Sequence, residues 1–358
     1  MLRRLAPLVS CLVAGCYQRP PSASAPKQAD RIAIIAAESG PQGARLVVLD
    51  ENGDRQFHLL DGPESIVRDT HPVVSPDGKW VVFASSRDRK IDATSLWIAP
   101  LEEGAAPTRL TTGDALDSHP CWTRDGKAIV FASTRDGGDF DLYRLAIQDG
   151  RATGAPEPLT SGAGHEVTPT IAADGTIIYG SVTPLGGGQV ESHLEERAPD
   201  GTIRKISDGP ADTAPALSPD DRVLAFARPK EHNGSLDAEL YTMRRNGDGA
   251  TQLIDLPLTD ETGPVWSPDG RYLFSTSLLR GAEGNTVFTS VIVIDMQMRP
   301  LKARMLEDRA GATARLTPAI TRTALDARAI ASDPEYLPEL ARIVANAIAA
   351  QKNPPSTP

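Results

Sequence analysis

One phrase, returning every 46 to 49 residues, restricts what this chain can fold into more than any other feature. It reads His71-Pro72-Val73-Val74-Ser75-Pro76-Asp77-Gly78, then His119-Pro120-Cys121-Trp122-Thr123-Arg124-Asp125-Gly126. It returns as Thr168-Pro169-Thr170-Ile171-Ala172-Ala173-Asp174-Gly175 and as Ala214-Pro215-Ala216-Leu217-Ser218-Pro219-Asp220-Asp221. The last clear copy is Gly263-Pro264-Val265-Trp266-Ser267-Pro268-Asp269-Gly270. A fixed period of this length means stacked supersecondary units rather than one irregular core.

Each part of the unit has a physical reading. Ser-Pro-Asp-Gly is a type I turn signal, with Pro presetting φ at the second position and Gly suiting the fourth. Before it lies a short strand carrying a small or medium residue, then a larger apolar one. After it comes a β-rich run such as Trp80-Val81-Val82-Phe83 or Ala128-Ile129-Val130-Phe131. A polar turn and a third strand follow (Ser95-Leu96-Trp97-Ile98, Asp141-Leu142-Tyr143-Arg144, Glu239-Leu240-Tyr241-Thr242), then a short fourth (Thr108-Arg109-Leu110-Thr111, Glu157-Pro158-Leu159-Thr160). Four short antiparallel strands per unit is the pattern of a β-propeller blade. One blade cannot bury both faces, so blades stack around an axis.

The ends set the expected count. Arg31-Ile32-Ala33-Ile34-Ile35-Ala36, Arg45-Leu46-Val47-Val48-Leu49 and Arg55-Gln56-Phe57-His58-Leu59 read as three strands of a blade lacking its first. Ala314-Arg315-Leu316-Thr317-Pro318-Ala319-Ile320-Thr321 is a degenerate first-strand phrase that would complete it. The expectation is an all-β, six-bladed β-propeller over residues 31–325, closed by a C-terminal strand. After Asp333-Pro334, apolar Leu337, Leu340, Ala341, Val344, Ala347 and Ile348 recur at helical spacing, which predicts a C-terminal helix over 333–351 packed on the propeller. Residues 352–358 are expected to be a disordered tail.

The Pro-x-x-Ser-Pro-Asp-Gly-Lys/Arg phrase, with Arg-Asp-Gly and Leu-Tyr after it, resembles the TolB-type (WD-like) propeller repeat. That resemblance implies the fold and says little of activity, because the scaffold hosts many functions. The periplasmic TolB protein carries an α/β domain before its propeller, whereas only a short segment separates Cys16 from Arg31 here.

The N-terminus carries a different signal. Arg3 and Arg4 precede a mostly apolar run from Leu5 to Gly15, too short for a permanent bilayer span. It closes as Leu12-Val13-Ala14-Gly15-Cys16, which resembles the bacterial lipobox, whose cysteine receives lipid. The resemblance implies a signal peptide over 1–15, lipidation at Cys16 and a Pro/Ser/Ala-rich tether over 16–30. Tyr17 in place of Asp favours the outer membrane, facing the periplasm, in enteric-type bacteria. Once Cys11 leaves and Cys16 is acylated, Cys121 stands alone and no intramolecular disulfide is expected.

Composition narrows the partners. With 40% hydrophobic and 23% charged residues the chain is neither disordered nor multi-spanning. A net charge of −10 disfavours nucleic acid. An acid stands three residues before each repeat proline: Asp69, Asp117, Glu166, Asp212 and Glu261; Arg315 holds the sixth place. These acids are expected either to ring one mouth of the axial channel or to accept hydrogen bonds within their own loops. His71 and His119 occupy equivalent positions, with His165 nearby, and invite a metal reading. Against it, no close-spaced ligand pair is present, so neither metal nor cofactor is expected. No Gly-x-Ser-x-Gly elbow and no phosphate-binding loop after a strand is present; Gly186-Gly187-Gly188 reads as a loop insertion. The functional expectation is a non-enzymatic, lipid-anchored envelope protein displaying a platform for a protein or peptide. The alternatives are a propeller carbohydrate lyase or hydrolase using His71, His119 and the acids, and a purely structural part of an envelope complex.

Overall fold

The computed structural model describes residues 34–320, apart from 41–42, 51–52, 54, 63–65, 187–188, 233–234, 257–258, 281–285 and 307–313. The signal peptide, Cys16, the tether, the 333–351 helix and the tail therefore lie outside the described residues. All regular structure among the described residues is β, and none of them forms a helix long and apolar enough to cross a membrane.

The opening strands are β1 (Ile34–Gly40), β2 (Gly43–Leu49) and β3 (Arg55–His58). The first phrase gives β4 (Val67–Val74), β5 (Trp80–Ser85), β6 (Ser95–Pro100) and β7 (Thr108–Arg109). The second gives β8 (Asp117–Trp122), β9 (Ala128–Ser133), β10 (Asp141–Gln148), β11 (Arg151–Ala152) and β12 (Glu157–Pro158). The third gives β13 (His165–Ile171), β14 (Ile177–Gly186), β15 (Gln189–Arg197) and β16 (Ile203–Lys205). The fourth gives β17 (Thr213–Leu217), β18 (Val223–His232), β19 (Ser235–Arg244) and β20 (Thr251–Gln252). The fifth gives β21 (Thr259–Trp266), β22 (Tyr272–Arg280), β23 (Thr286–Asp295) and β24 (Lys302–Leu306), and β25 (Ala314–Ile320) ends the series.

Four of these groups are separate antiparallel sheets, arranged as in a propeller. The remaining strands share one eight-stranded sheet. It consists of two antiparallel ladders joined by a two-residue parallel pairing, Gly43 with Val67 and Ala44 with Arg68. In the first ladder β25 pairs with β1, Ile34 opposite Ile320 and Ile35 opposite Ala319, so the chain's late strand supplies the partner that its early strands lack. Gly186 ends β14 at the tip of a long hairpin, where the Gly run had suggested a loop insertion.

Period-2 alternation decides how the sheets stack. Val81 and Phe83 pack toward Ile35, Leu46 and Val48, while Val82 and Ala84 pack the other way, onto Ile129, Phe131 and Tyr143. The same division continues: Val130 and Leu142 meet Ile177 and Tyr179; Ile178 and Leu194 meet Leu224 and Phe226; Ala225 and Leu240 meet Leu273 and Ile292. Finally Tyr272, Phe274, Val291 and Val293 meet Ile34, Ala36, Val47 and Leu49. The series of interfaces returns to its start. Phe83, Phe131, Tyr179, Phe226 and Phe274 hold one equivalent place and are all essentially inaccessible. An aromatic buried there contributes about 2–3 kcal/mol from apolar area alone.

The turns follow the sequence chemistry. Ser75 Oγ donates to Asp77 Oδ1 at 2.6 Å and accepts from Trp80 N–H at 2.9 Å, closing the Ser-Pro-Asp-Gly loop. Thr123 with Asp125, Ser218 with Asp220 and Ser267 with Asp269 repeat the same bond at 2.6–2.7 Å.

Candidate functional site

The x-Pro dipeptide that opens each phrase shapes the axis. Proline has no N–H to give a ladder, so a strand carrying it must bulge or sit at an edge. Register shifts occur between Thr70 and Val73, Ser118 and Cys121, Val167 and Thr170, Thr213 and Ala216, and Thr262 and Val265. Opposite β25 the shift falls between Ile35 and Ala37. The residue before each proline is left-handed: His71 (φ 51°), His119 (φ 49°), Thr168 (φ 53°), Ala214 (φ 50°), Gly263 (φ 60°) and Thr317 (φ 49°). Five of these six are not glycine, and each pays on the order of 1 kcal/mol or more to stay there. This repeated left-handed residue marks the place where the first strands turn along the axis.

The result is a funnel of about 680 Å³. Its wall takes the proline from every phrase: Pro72, Pro120, Pro169, Pro215, Pro264 and Pro318. Next come Val73, Cys121, Thr170, Ala216, Val265 and Ala319, then Val74, Trp122, Ile171, Leu217, Trp266 and Ile320. Two indoles are fixed across sheet boundaries, Trp122 Nε1 donating to the Val73 carbonyl at 3.3 Å and Trp266 Nε1 to the Ala216 carbonyl at 3.0 Å. Among the described residues the one charged member of the lining, Arg124, is held by Asp221 at 2.8 Å and donates to the Ile171 carbonyl at 3.1 Å. Burial pushes the Cys121 thiol up to about 11, which keeps it protonated in the wall.

The repeat acids lie inside the sheets. Asp69 is fully buried, takes Arg87 at 2.7 Å and accepts from Ser85 Oγ at 2.5 Å. Asp117 is equally buried and takes Arg135 at 2.8 Å. Asp212 holds Arg228 through two bonds, 2.6 and 2.8 Å, and Gly209 packs so closely on this pair that a Cβ there would strike both partners. Arg135 and Arg228 also lie over aromatic rings, Phe131 with Tyr143 and Phe226 with Tyr241, at 4.9–5.2 Å. Guanidinium on carboxylate and ring together lets an ion pair persist away from water.

Glu166 and Glu261 differ. Their ladder partners Ser181 and Ser277 match Ser85 and Ser133, but two residues on stand Thr183 and Leu279 instead of Arg87 and Arg135. With no guanidinium beside it among the described residues, burial pushes Glu261 up to about 8. Burial and the neighbouring Asp141 carboxyl push Glu166 up to about 8 as well. At the sixth place the charges are exchanged: buried Arg315 lies 3.3 Å from Glu38. The five acids thus do not combine into an open acidic mouth; each is satisfied or neutralised within its own repeat.

The histidines do meet. The His71 and His119 rings lie 4.2 Å apart. His71 N–H donates to Thr317 Oγ1 at 3.2 Å, linking the first phrase to the last. Burial holds His71 well below the usual imidazole range and lowers His119 to about 4, so the pair is neutral at pH 7. His165 is elsewhere, its Nδ1 accepting from Phe140 N–H at 3.1 Å. Among the described residues neither His71 nor His119 belongs to a three-ligand metal cluster. The funnel itself was not singled out from the sequence, although its prolines were the repeat marker.

Comparison with known proteins agrees with this geometry. The TolB beta propeller domain family matches residues 67–237. TolB from Acinetobacter baumannii superposes with a TM-score of 0.62 at 17% identity, over 81% of this chain and 67% of that one. Hydrazine synthase from Kuenenia stuttgartiensis superposes with a TM-score of 0.59 at 15% identity, over 80% of this chain and 46% of that one. The uncharacterized peptidase YuxL of Bacillus subtilis is 33% identical over 105 residues, which is 29% of this chain and only 13% of that protein. Structural likeness at such identity speaks for the fold alone. Residues 67–237 match the TolB beta propeller domain, and the described fold is similar to that of TolB-type propellers.

Proposed function

We propose that this protein is a lipid-anchored component of the cell envelope whose propeller is a binding platform, with the proline-walled funnel as the docking site for an apolar segment of a protein or peptide partner. The single observation that carries the reading is the convergence of six prolines and their apolar neighbours on one cavity. Its volume lies within the usual range for ligand pockets. Rigid proline and indole walls lose little entropy on contact, which favours burial of apolar side chains. Because Arg124 is already paired and the histidines are neutral, recognition rests on shape and apolar contact rather than charge.

In this reading the two ladders of the eight-stranded sheet act as separate blades, six in all, with β25 closing the ring; the pairing of β25 with β1 supports it. On the same reading the lipobox-like segment ending at Cys16 carries the anchor, and Tyr17 favours the outer membrane facing the periplasm. The carbohydrate-active alternative needs His71, His119 and the acids to share a site. The burial of each acid with its own partners speaks for binding instead.

Selection of random peptides on the immobilised protein tests the site. Enriched sequences should carry clustered apolar residues, and Ala216→Asp, at the funnel wall, should abolish their binding while the fold survives. Enrichment of nothing, or equal capture by Ala216→Asp, would refute the funnel as the docking site. Metabolic labelling with a fatty acid, lost in Cys16→Ser, tests the anchor.

A further inference from the structure

A second polar cluster lies away from the axis, at the far end of the β18–β19 hairpin. Residues two apart on a strand share a face, so Lys230 and His232 on β18 stand beside Asp237 and Glu239 on β19. Asp255, just beyond β20, completes the group. His232 Nε2 lies 2.6 Å from Asp255 Oδ1 and 3.9 Å from Glu239 Oε1. Its Nδ1 lies 3.3 Å from Asp237 Oδ2. Asp237 and Glu239 are fully buried. One nitrogen, one buried carboxylate and one half-exposed carboxylate thus offer donor atoms within 4.8 Å of one another.

We infer that His232, Glu239 and Asp255 form a binding site for one divalent cation of the Zn²⁺ type. A neutral imidazole carries a single N–H, yet both ring nitrogens of His232 face carboxylate oxygens. A proton on Nε2 answers one oxygen; a cation in that place answers both Asp255 and Glu239. Asp237 Oδ2, 3.3 Å from Nδ1 though not aligned for a hydrogen bond, favours a proton on that nitrogen and leaves Nε2 for the cation. A tetrahedral ion about 2.0–2.2 Å from each donor sets the donors about 3.3–3.6 Å apart. The present 2.6 and 3.9 Å bracket that spacing, and the exposed Asp255 side chain is free to adjust. An imidazole in the set favours Zn²⁺ or Co²⁺ over Mg²⁺ or Ca²⁺. Three protein ligands leave a fourth position for water. Lys230, 2.7 Å from Asp255 Oδ2, competes with the metal for that carboxylate.

The test is titration of the chelator-treated, untagged full chain with Zn²⁺, read by calorimetry and elemental analysis, and with Co²⁺, read by its visible d–d bands. The expected result is one equivalent of Zn²⁺ and a tetrahedral Co²⁺ spectrum. Binding should be lost in His232→Ala and weakened at least tenfold in Asp255→Asn, whose exposed position leaves the fold intact. Lys230→Met should retain or tighten binding. Absence of stoichiometric Zn²⁺ on the wild type, or undiminished binding by Asp255→Asn, would overturn the assignment.

Discussion

Two positions that look equivalent in sequence should respond very differently to replacement of the acid by its amide. Asp212 and Glu261 each stand three residues before a repeat proline, and both are fully buried. Asp212 pairs with Arg228 through bonds of 2.6 and 2.8 Å. Removing one partner of a buried pair costs about 3–5 kcal/mol. Because Arg228 keeps 19% of its side chain exposed, Asp212→Asn should fall near the lower end, ~3 kcal/mol. Glu261 has no guanidinium beside it among the described residues, and burial raises it to about 8, so it is protonated at pH 7. Glu261→Gln replaces a neutral acid with its isostere and should cost under ~1 kcal/mol at pH 7. The sign with pH follows: a carboxyl raised above its unfolded range holds an extra proton in the fold, so its contribution is full below about 4.5 and is lost as pH rises through about 8. The wild type should therefore lose stability over that interval, and Glu261→Gln should overtake it above pH 8. Urea unfolding at pH 6, 7 and 8.5, followed by fluorescence and circular dichroism, measures all three proteins. A cost for Asp212→Asn below ~1 kcal/mol, or one for Glu261→Gln at pH 7 as large as that of Asp212→Asn, would refute the distinction.

Other predictions follow from the same geometry. Glu166→Gln should remove one proton-linked step, so its stability should depend less steeply on pH between 5 and 8 than that of the wild type; proton uptake on refolding measures it directly. Trp122→Phe loses the bond to the Val73 carbonyl and should cost about 1 kcal/mol, whereas Trp122→Ala also opens the interface and should cost about 3–5 kcal/mol in thermal or urea unfolding. With its thiol raised to about 11, Cys121 should resist a thiol reagent at pH 8 in the native protein and react at once in denaturant.

The architecture was legible because its cause is local and repeated. A turn phrase, a proline and an aromatic at fixed spacing dictate one four-stranded unit, and four of the copies form separate sheets. Even the degenerate phrase around Thr317-Pro318 pointed to the strand that pairs with β1. The acids were not legible to the same depth. Their sign was plain, but their environment depends on whether an arginine stands two residues beyond the ladder serine, and Arg87 and Arg135 against Thr183 and Leu279 decide it. The left-handed histidines were hidden because pairing gives no hint of a bulge until the proline is treated as a missing donor. The His232 cluster escaped because its members come from two strands and a loop, without the close spacing that marks a ligand motif.

Closure of the ring is the claim on which the funnel depends, and hydrogen exchange of the closing strand tests it most directly. Amides of Ala314–Ile320 should exchange as slowly as those of Ile34–Gly40 and Trp80–Ser85, through global unfolding alone. Fast exchange of 314–320 while the inner strands stay protected would mean that the late strand does not hold the circle, and the shared cavity would lose its sixth wall.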